Sequence, residues 1–377
     1  MTWALECGAC GRGADLHLAT LCPECAKPLL AIYPLAKLDG AGLRRRWETR
    51  APGPWRYREI MPIREHEQPV TLGEGATPLI PVEPGGELAG LDVLVKDEGM
   101  NPTGSFKDRG MGAAVTRASL DGVDHFTAPS AGNAGAALAA FAARAVAKAH
   151  VFVPSDIPEG VLRRCRHYGA TWDAVDGLID ECGRRSAEYS AETGAFNVST
   201  LKEPYRIEGK KTMMLEIAQA LGWRLPDAVV YPTGGGTGLI GSHKAASELR
   251  ALGLVSGNCR LYSVQAAGCA PIVDAWNAGA SAASAWADAH TEAWGLRVPS
   301  AIGDFLILRA IRESGGGAIA VDDGSMREGA RELGSLGVGA AIEGGAAMVA
   351  ARRLAARGEL KTGETVVLFN TAHLLTY

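Results

Sequence analysis

Short apolar runs recur along this chain between Ala- and Gly-rich stretches of helical composition, and that alternation limits the folds open to it. The runs are Val93-Leu94-Val95, Val151-Phe152-Val153, Ala228-Val229-Val230-Tyr231, Leu261-Tyr262-Ser263-Val264 and Val366-Val367-Leu368-Phe369. None shows the clean apolar–polar alternation of a strand with one wet face. Each reads as a strand buried on both faces, the mark of a parallel sheet. Strands separated by helices imply α/β layers. A chain of 377 residues corresponds to two or three domains and buries a core without disulfide staples.

Charge and composition exclude several classes. Lys and Arg total 38 against 42 acidic residues, a net charge of −4. Electrostatic nucleic-acid binders carry a basic excess or stripe. Only Arg44-Arg45-Arg46 forms a run here, a length usual on a solvated helix face, so no nucleic-acid partner is expected. No apolar stretch reaches the ~20 residues of a membrane span. The most apolar helical stretch, residues 134–149, is interrupted by Arg144 and Lys148, so no membrane partner is expected either. Met1-Thr2-Trp3-Ala4 lacks the basic-then-apolar order of a secretory signal, which gives a cytoplasmic expectation. Glycine is in excess, at 48 residues. An excess of this kind reflects flexible linkers, tight turns, or backbone that lies against a ligand.

The eight cysteines fall into two groups. Cys7, Cys10, Cys22 and Cys25 form two C-x2-C knuckles, the spacing of a structural zinc ribbon. Four sulfur ligands leave no open position for a catalytic water, so the expected zinc is structural. A metal-free ribbon or an oxidised one is the alternative. Cys165, Cys182, Cys259 and Cys269 are scattered and read as buried, inert thiols.

Three segments carry chemistry. In Asn101-Pro102-Thr103-Gly104-Ser105-Phe106-Lys107-Asp108-Arg109-Gly110, a turn leads to Ser105 and Asp108 at capping-box spacing, which predicts a helix from Phe106. Lys107 then lies in the first turn, where the helix dipole disfavours an ammonium. A lysine held neutral can form a Schiff base, whereas a solvated surface lysine does not. In Ser130-Ala131-Gly132-Asn133-Ala134-Gly135, small residues let a flat ligand lie on the backbone and Asn133 offers a donor and an acceptor; an ordinary turn fits as well. In Thr233-Gly234-Gly235-Gly236-Thr237-Gly238, consecutive glycines between a strand and a helix expose N–H groups that can surround a phosphate. Gly236, Gly238 and Gly241 also spell G-x-G-x-x-G, but the next strand ends at Gln265 where a dinucleotide fold needs an acidic residue.

A Schiff-base lysine, an Asn-bearing loop and a glycine cradle together suit pyridoxal 5′-phosphate (PLP). With Gly73-Glu74-Gly75-Ala76-Thr77-Pro78-Leu79, Tyr205-Arg206-Ile207-Glu208-Gly209-Lys210-Lys211-Thr212 and Val264-Gln265-Ala266-Ala267-Gly268, the chain resembles the fold-type II PLP enzymes of the tryptophan synthase β superfamily, and within them the threonine synthase family. The resemblance implies an α/β fold of two domains with parallel-rich open sheets, plus the ribbon. Residues 1–30 would be the ribbon, 31–112 with 225–377 the large PLP-binding domain, and 113–224 the small α/β domain. It implies that Lys107 carries PLP and moves protons, that Phe106 packs near the ring, and that Asn133 bonds the ring hydroxyl. Gly234, Gly235, Gly236, Thr237 and Gly238 would hold the phosphate, and Thr371 would face the pyridine nitrogen. Ser130, Ala131 and Gly132 would meet the substrate carboxylate, and Arg206 the substrate phosphate, with Lys202, Lys210 and Lys211 nearby in sequence. The implied partners are a phosphorylated amino-acid substrate and a second copy of the chain, as a homodimer.

The implied reaction converts O-phospho-L-homoserine and water to L-threonine and phosphate. The chain departs from the family at Thr371-Ala372-His373-Leu374-Leu375-Thr376, where two glycines and a lysine are missing. Ala372 and Leu374 then add side chains near the cofactor ring, and His373 is either a new acid–base group or a surface residue. Glu203 falls where an Asn would contact phosphate. These departures keep open a different PLP reaction, β-replacement or β-elimination on phosphoserine, serine or threonine, of the cysteate synthase or threonine dehydratase kind. A non-catalytic ribbon protein is the third reading, opposed by Lys107 and the intact cradle.

Overall fold

The computed structural model of the protein describes residues 3–14 and 18–376. The ribbon comes first. Strand β1 (Ala4–Cys7) pairs antiparallel with β2 (Gly13–Ala14) and β3 (Leu29–Ile32). It docks by packing and by hydrogen bonding: Trp3 meets Tyr205 edge-on at 6.4 Å, and Arg309 donates to the Gly8 carbonyl at 3.0 Å. Helix α1 (Gly40–Thr49) connects it to the rest.

After α1 the elements alternate. In order they are β4 (Leu79–Val82), β5 (Asp92–Asp97), α2 (Lys107–Leu120), β6 (His125–Pro129), α3 (Asn133–Arg144), β7 (Lys148–Pro154), α4 (Glu159–His167), β8 (Thr171–Val175), α5 (Ile179–Thr193) and β9 (Phe196–Asn197). Then follow α6 (Tyr205–Ala220), β10 (Ala228–Pro232), α7 (Thr237–Ala251), β11 (Arg260–Ala266), α8 (Pro271–Asn277), α9 (Asp304–Ser314), β12 (Gly317–Val321), α10 (Asp323–Ser335), α11 (Ile342–Ala356) and β13 (Thr365–Asn370). The larger sheet has six strands in the order β12-β11-β10-β13-β5-β4, parallel except for the edge strand β4. The smaller has four parallel strands in the order β8-β7-β6-β9.

All five apolar runs become parallel strands, in β5, β7, β10, β11 and β13. Successive side chains go to opposite faces and both faces are covered. Leu94, Val229 and Val367 join Leu239, Leu249 and Ile307 of α7 and α9, while Val93, Val95, Val230 and Leu368 join Met326, Ala346 and Met348 of α10 and α11. The stretch 134–149 is not one helix, as its composition suggested. Helix α3 stops at Arg144, Val146 turns with φ +57°, and β7 begins at Lys148. The charged residues that interrupt the apolar run therefore mark its break.

A buried ion network ties α2 to β5 and α6. Arg109 is fully buried and donates to Glu98 at 2.6 Å and Glu216 at 2.7 Å, and Lys96 reaches Glu216 at 2.8 Å. Both carboxyls are held below the usual carboxylate range: burial opposes this, but the Arg109 charge outweighs it. Breaking such a network strands buried carboxylates, so Arg109→Met should lose about 3–5 kcal/mol of unfolding free energy. Urea denaturation measures this; a loss below about 1 kcal/mol, the range of exposed pairs, would show that the network does not hold the two helices.

Candidate active site

The site lies where β6, β10 and β13 end, at the carboxyl edges of both sheets, the usual place for a ligand in an open α/β structure. A cavity of about 340 Å³ opens there, lined by the loops that follow these strands and by Phe106 and Lys107. The structure brings together Phe106, Lys107, Ser130, Ala131, Gly132, Asn133, Arg206, Gly234, Gly235, Gly236, Thr237, Gly238 and Thr371 around this one space.

Lys107 is the first residue of α2, one later than the capping pattern predicts. Ser105 and Asp108 do not form a capping box. Asp108 turns back to accept from the Thr103 N–H at 2.6 Å and from the Thr103 hydroxyl, closing the loop that precedes the helix. The Phe106 N–H donates to the Thr371 carbonyl at 3.0 Å, which fastens this turn to the end of β13. Lys107 Nζ lies 4.2 Å from the Phe106 ring centroid. Burial, then the Arg206 charge, lowers the Lys107 pKa to about 7, with Glu343 opposing. The direction is the one expected of a helix start, but these two causes lead.

The loop after β6 folds on its own serine. The Ser130 hydroxyl accepts from Gly132 N at 3.1 Å and Gly135 N at 2.7 Å and donates to the Gly132 carbonyl at 2.9 Å. It therefore shapes the loop that Asn133 and Ala131 present. Asn133 is buried, with Nδ2 at 3.4 Å from Thr376 Oγ1.

The glycine segment fits a phosphate. Gly236 has φ +78° at the start of α7, a conformation that favours glycine. A Cβ at Gly235 would press Thr200 Cγ2 at 2.9 Å. Among the described residues, the N–H groups of Gly234, Gly235 and Gly236 have no hydrogen-bond acceptor, although this backbone is largely buried. Buried donors of that kind call for an anion.

Arg206 adds a cation whose charge is unmet. It is buried, Nη1 donates to the Val198 carbonyl at 2.7 Å, and Nε has no partner. Among the described residues, no carboxylate forms an ion pair with its guanidinium. Glu203 does not line the cavity, so it does not take the place of an Asn in contact with phosphate. It faces away from the cavity and caps α6, accepting from Tyr205 N at 2.7 Å and Arg206 N at 3.1 Å. Burial raises its pKa to about 7. Lys202 lines the cavity, but Lys210 and Lys211 do not. Both are fully buried under α2 and α7, so neither is a solvated lysine nor a cavity ligand.

At the C-terminus Ala372 lines the cavity, whereas Leu374 is 53% exposed and points away. His373 is half-buried and stays outside the cavity lining, and its backbone N–H donates to the Gly104 carbonyl at 2.9 Å. Two contributors are missing from the sequence expectations. The loop 294–302 lines a long side of the cavity without any motif. Glu343, at the start of α11, holds that loop by accepting from Gly295 N at 2.9 Å. The adjacent Gly344-Gly345 was the available hint, because a Cβ at Gly344 would come within 2.6 Å of Asn370 Oδ1.

Apart from this cavity, Cys7, Cys10, Cys22 and Cys25 point their sulfurs together, all within 4.8 Å of one another. Cys7–Cys25 and Cys10–Cys22 are 3.5 and 3.7 Å apart. Zn–S bonds of about 2.3 Å place tetrahedral sulfurs roughly 3.8 Å apart, so the donor set fits zinc. The other four cysteines are buried thiols; burial raises the pKa of each.

Because Lys107 is neutral only above its lowered pKa, capture of added PLP by apoprotein should rise through pH 7 and then level off. Stopped-flow absorbance measures it; a rise continuing toward the ordinary lysine value of 10.5 would contradict the burial argument.

Comparison with known proteins gives the same family. The family described as pyridoxal-phosphate dependent enzyme matches residues 70–372. Threonine synthase of Methanosarcina acetivorans is 34% identical over 98% of this chain and 91% of its own length. Threonine synthase of Methanocaldococcus jannaschii is 32% identical over the same shares, 98% and 91%. Among solved structures, the processed form of threonine deaminase isoform 2 from Solanum lycopersicum superposes with a TM-score of 0.68 at 20% identity, over 79% of each chain, a likeness of fold. With the cradle, the buried lysine and these relatives in agreement, the chain belongs to the fold-type II pyridoxal-phosphate-dependent enzymes, among the threonine synthases.

Proposed function

We propose that this protein is a threonine synthase, a lyase that converts O-phospho-L-homoserine and water to L-threonine and phosphate. The observation that carries the reading is Arg206, a buried guanidinium without a carboxylate partner in the same cavity as Lys107. A buried cation of this kind is unfavourable until an anion joins it, and the γ-phosphate of the substrate supplies one. Lys202 adds charge at the same wall.

When bound, PLP supplies the electron sink that acidifies the substrate at Cα and then at Cβ. Lys107 would hold it, with the cradle 234–238 around its phosphate, Asn133 at the ring hydroxyl and Thr371 at the pyridine nitrogen. The rest is work for the chain's own side chains. In its neutral form the Lys107 amine accepts the protons lost from Cα and, in turn, from Cβ, and returns protons to Cγ, which becomes the methyl group, and to Cα after water has added at Cβ. Arg206 and Lys202 neutralise the phosphate as the bond from Cγ breaks. The loop 130–133 orients the carboxylate, and the loop 294–302 shields the site from bulk water.

Replacing Arg206 by Ala removes a charge-assisted hydrogen bond and should lower kcat/KM for O-phospho-L-homoserine about 10- to 100-fold, chiefly through KM. Phosphate release measures it, and an unchanged KM would remove Arg206 from the reading. The Ala372 side chain in the cavity wall favours the second reading, β-replacement or β-elimination. A panel of O-phospho-L-homoserine, phosphoserine, threonine and serine with phosphate and keto-acid detection separates the two. Threonine synthase releases phosphate from the first and forms threonine. The same proposal takes the enzyme as a cytoplasmic homodimer with a structural zinc ion on the four thiolates. Elemental analysis and light scattering of the purified enzyme should give one zinc per chain and twice the chain mass; Cys10→Ser should lose the metal.

A further inference from the structure

Helix α6 carries two cations one turn apart, Arg206 and Lys210. Arg206 lines the cavity, and Lys210 runs under the start of α2. There Lys210 Nζ donates to the carbonyl oxygen of Phe106, the peptide directly before Lys107. The same Nζ lies 4.2 Å from the Phe106 ring centroid, as Lys107 Nζ does. Glycines clear its path: a Cβ at Gly110 would come within 2.9 Å of Lys210 Cε, and one at Gly241 within 3.1 Å of Lys210 Cβ.

Its neighbour gives the contrast. Lys211 is equally buried but sits between Glu208 and Glu248, each at 2.7 Å. Lys210 has no carboxylate within 4.0 Å among the described residues; Asp108 and Glu98 act on it only at longer range. Burying an amine without a close counter-ion costs several kcal/mol, so packing alone gives no reason for a lysine here. Burial first, then Lys107 and Arg206, hold it well below the ordinary lysine range. Protonated or neutral, the amine keeps N–H donors for the Phe106 carbonyl.

We propose that Lys210 is a positioning residue for Lys107: its hydrogen bond to the Phe106 carbonyl fixes, from α6, the peptide that carries the reactive amine. One helix then serves both the anion-binding Arg206 and the cofactor lysine. The inference rests on the reading of Lys107 as the lysine that binds PLP.

The test follows the visible absorbance that develops when PLP is added to apoenzyme. Lys210→Met removes the donor and should slow capture about tenfold, the effect of one lost hydrogen bond. Lys210→Gln keeps an N–H donor without the charge and should recover to within about threefold of the natural enzyme. In steady state K210M should lose kcat by a similar factor with KM unchanged. Capture by K210M at the natural rate, or K210Q as slow as K210M, would overturn the proposal. Should K210M fail to fold, K210Q decides alone: capture within threefold supports the hydrogen bond, and a tenfold loss refutes it. Lys107→Ala keeps the underlying reading separate. If that variant develops the same band, the assignment of Lys107 fails and not merely that of Lys210.

Discussion

The close crossing of α2 and α6 is the contact on which the site depends. Gly209 of α6 faces the Arg109 carbonyl and Gly110 of α2, with no room for a Cβ between them. Two helices brought this near share backbone contact, and small residues alone permit it. The crossing lets Arg109 reach both Glu98 beside β5 and Glu216 on α6. It also sets Arg206 and Lys210 against the first turn of α2, where Lys107 begins. Lys107 is thus placed by a rigid helix pair rather than by a loop.

Charge is distributed unevenly around that pair. Behind the crossing, cations other than Lys210 have carboxylates in contact: buried Lys96 and Arg109 meet Glu216, and buried Lys211 and half-buried Lys244 meet Glu208 and Glu248. In front of it, Lys107, Lys202 and Arg206 share a cavity wall with the buried carboxyl of Glu343, and none of the three forms an ion pair among the described residues. Ion pairs behind give rigidity, and unmet cations with free backbone N–H groups in front give affinity for an anionic ligand. The ribbon side is joined to the same helix through Trp3 on Tyr205 and Tyr33 against Lys211, and to α7 through Tyr33 against Lys244.

Much of this was legible in the chain. The uniform apolar runs encode strands buried twice over, and each became one. The Lys107, Asn133 and Gly234–Gly238 segments sit at strand-to-helix turns, and turn chemistry is local, so the cofactor cavity could be read before its shape was known. The four thiols converge because two C-x2-C knuckles bring each pair together within a few residues. Errors arose where a side chain had a choice of partners. Asp108 chose Thr103 over the helix end, Glu203 chose the N–H groups of α6 over the cavity, and Leu374 turned out to solvent.

By itself the sequence determined the layered α/β class, the strands, the glycine turns and the kind of cofactor they suit, because hydrophobic period and turn residues act over neighbours in the chain. Only the tertiary structure decided which charges are neutralised. It also decided that the loop 294–302 and Glu343 close the site, and that Lys210 lies under the peptide of Lys107. Those facts depend on contacts between different elements, 104 positions apart for Lys210 and Phe106 and 48 for Gly295 and Glu343, and on burial that strengthens each charge and is settled by the packing of whole helices.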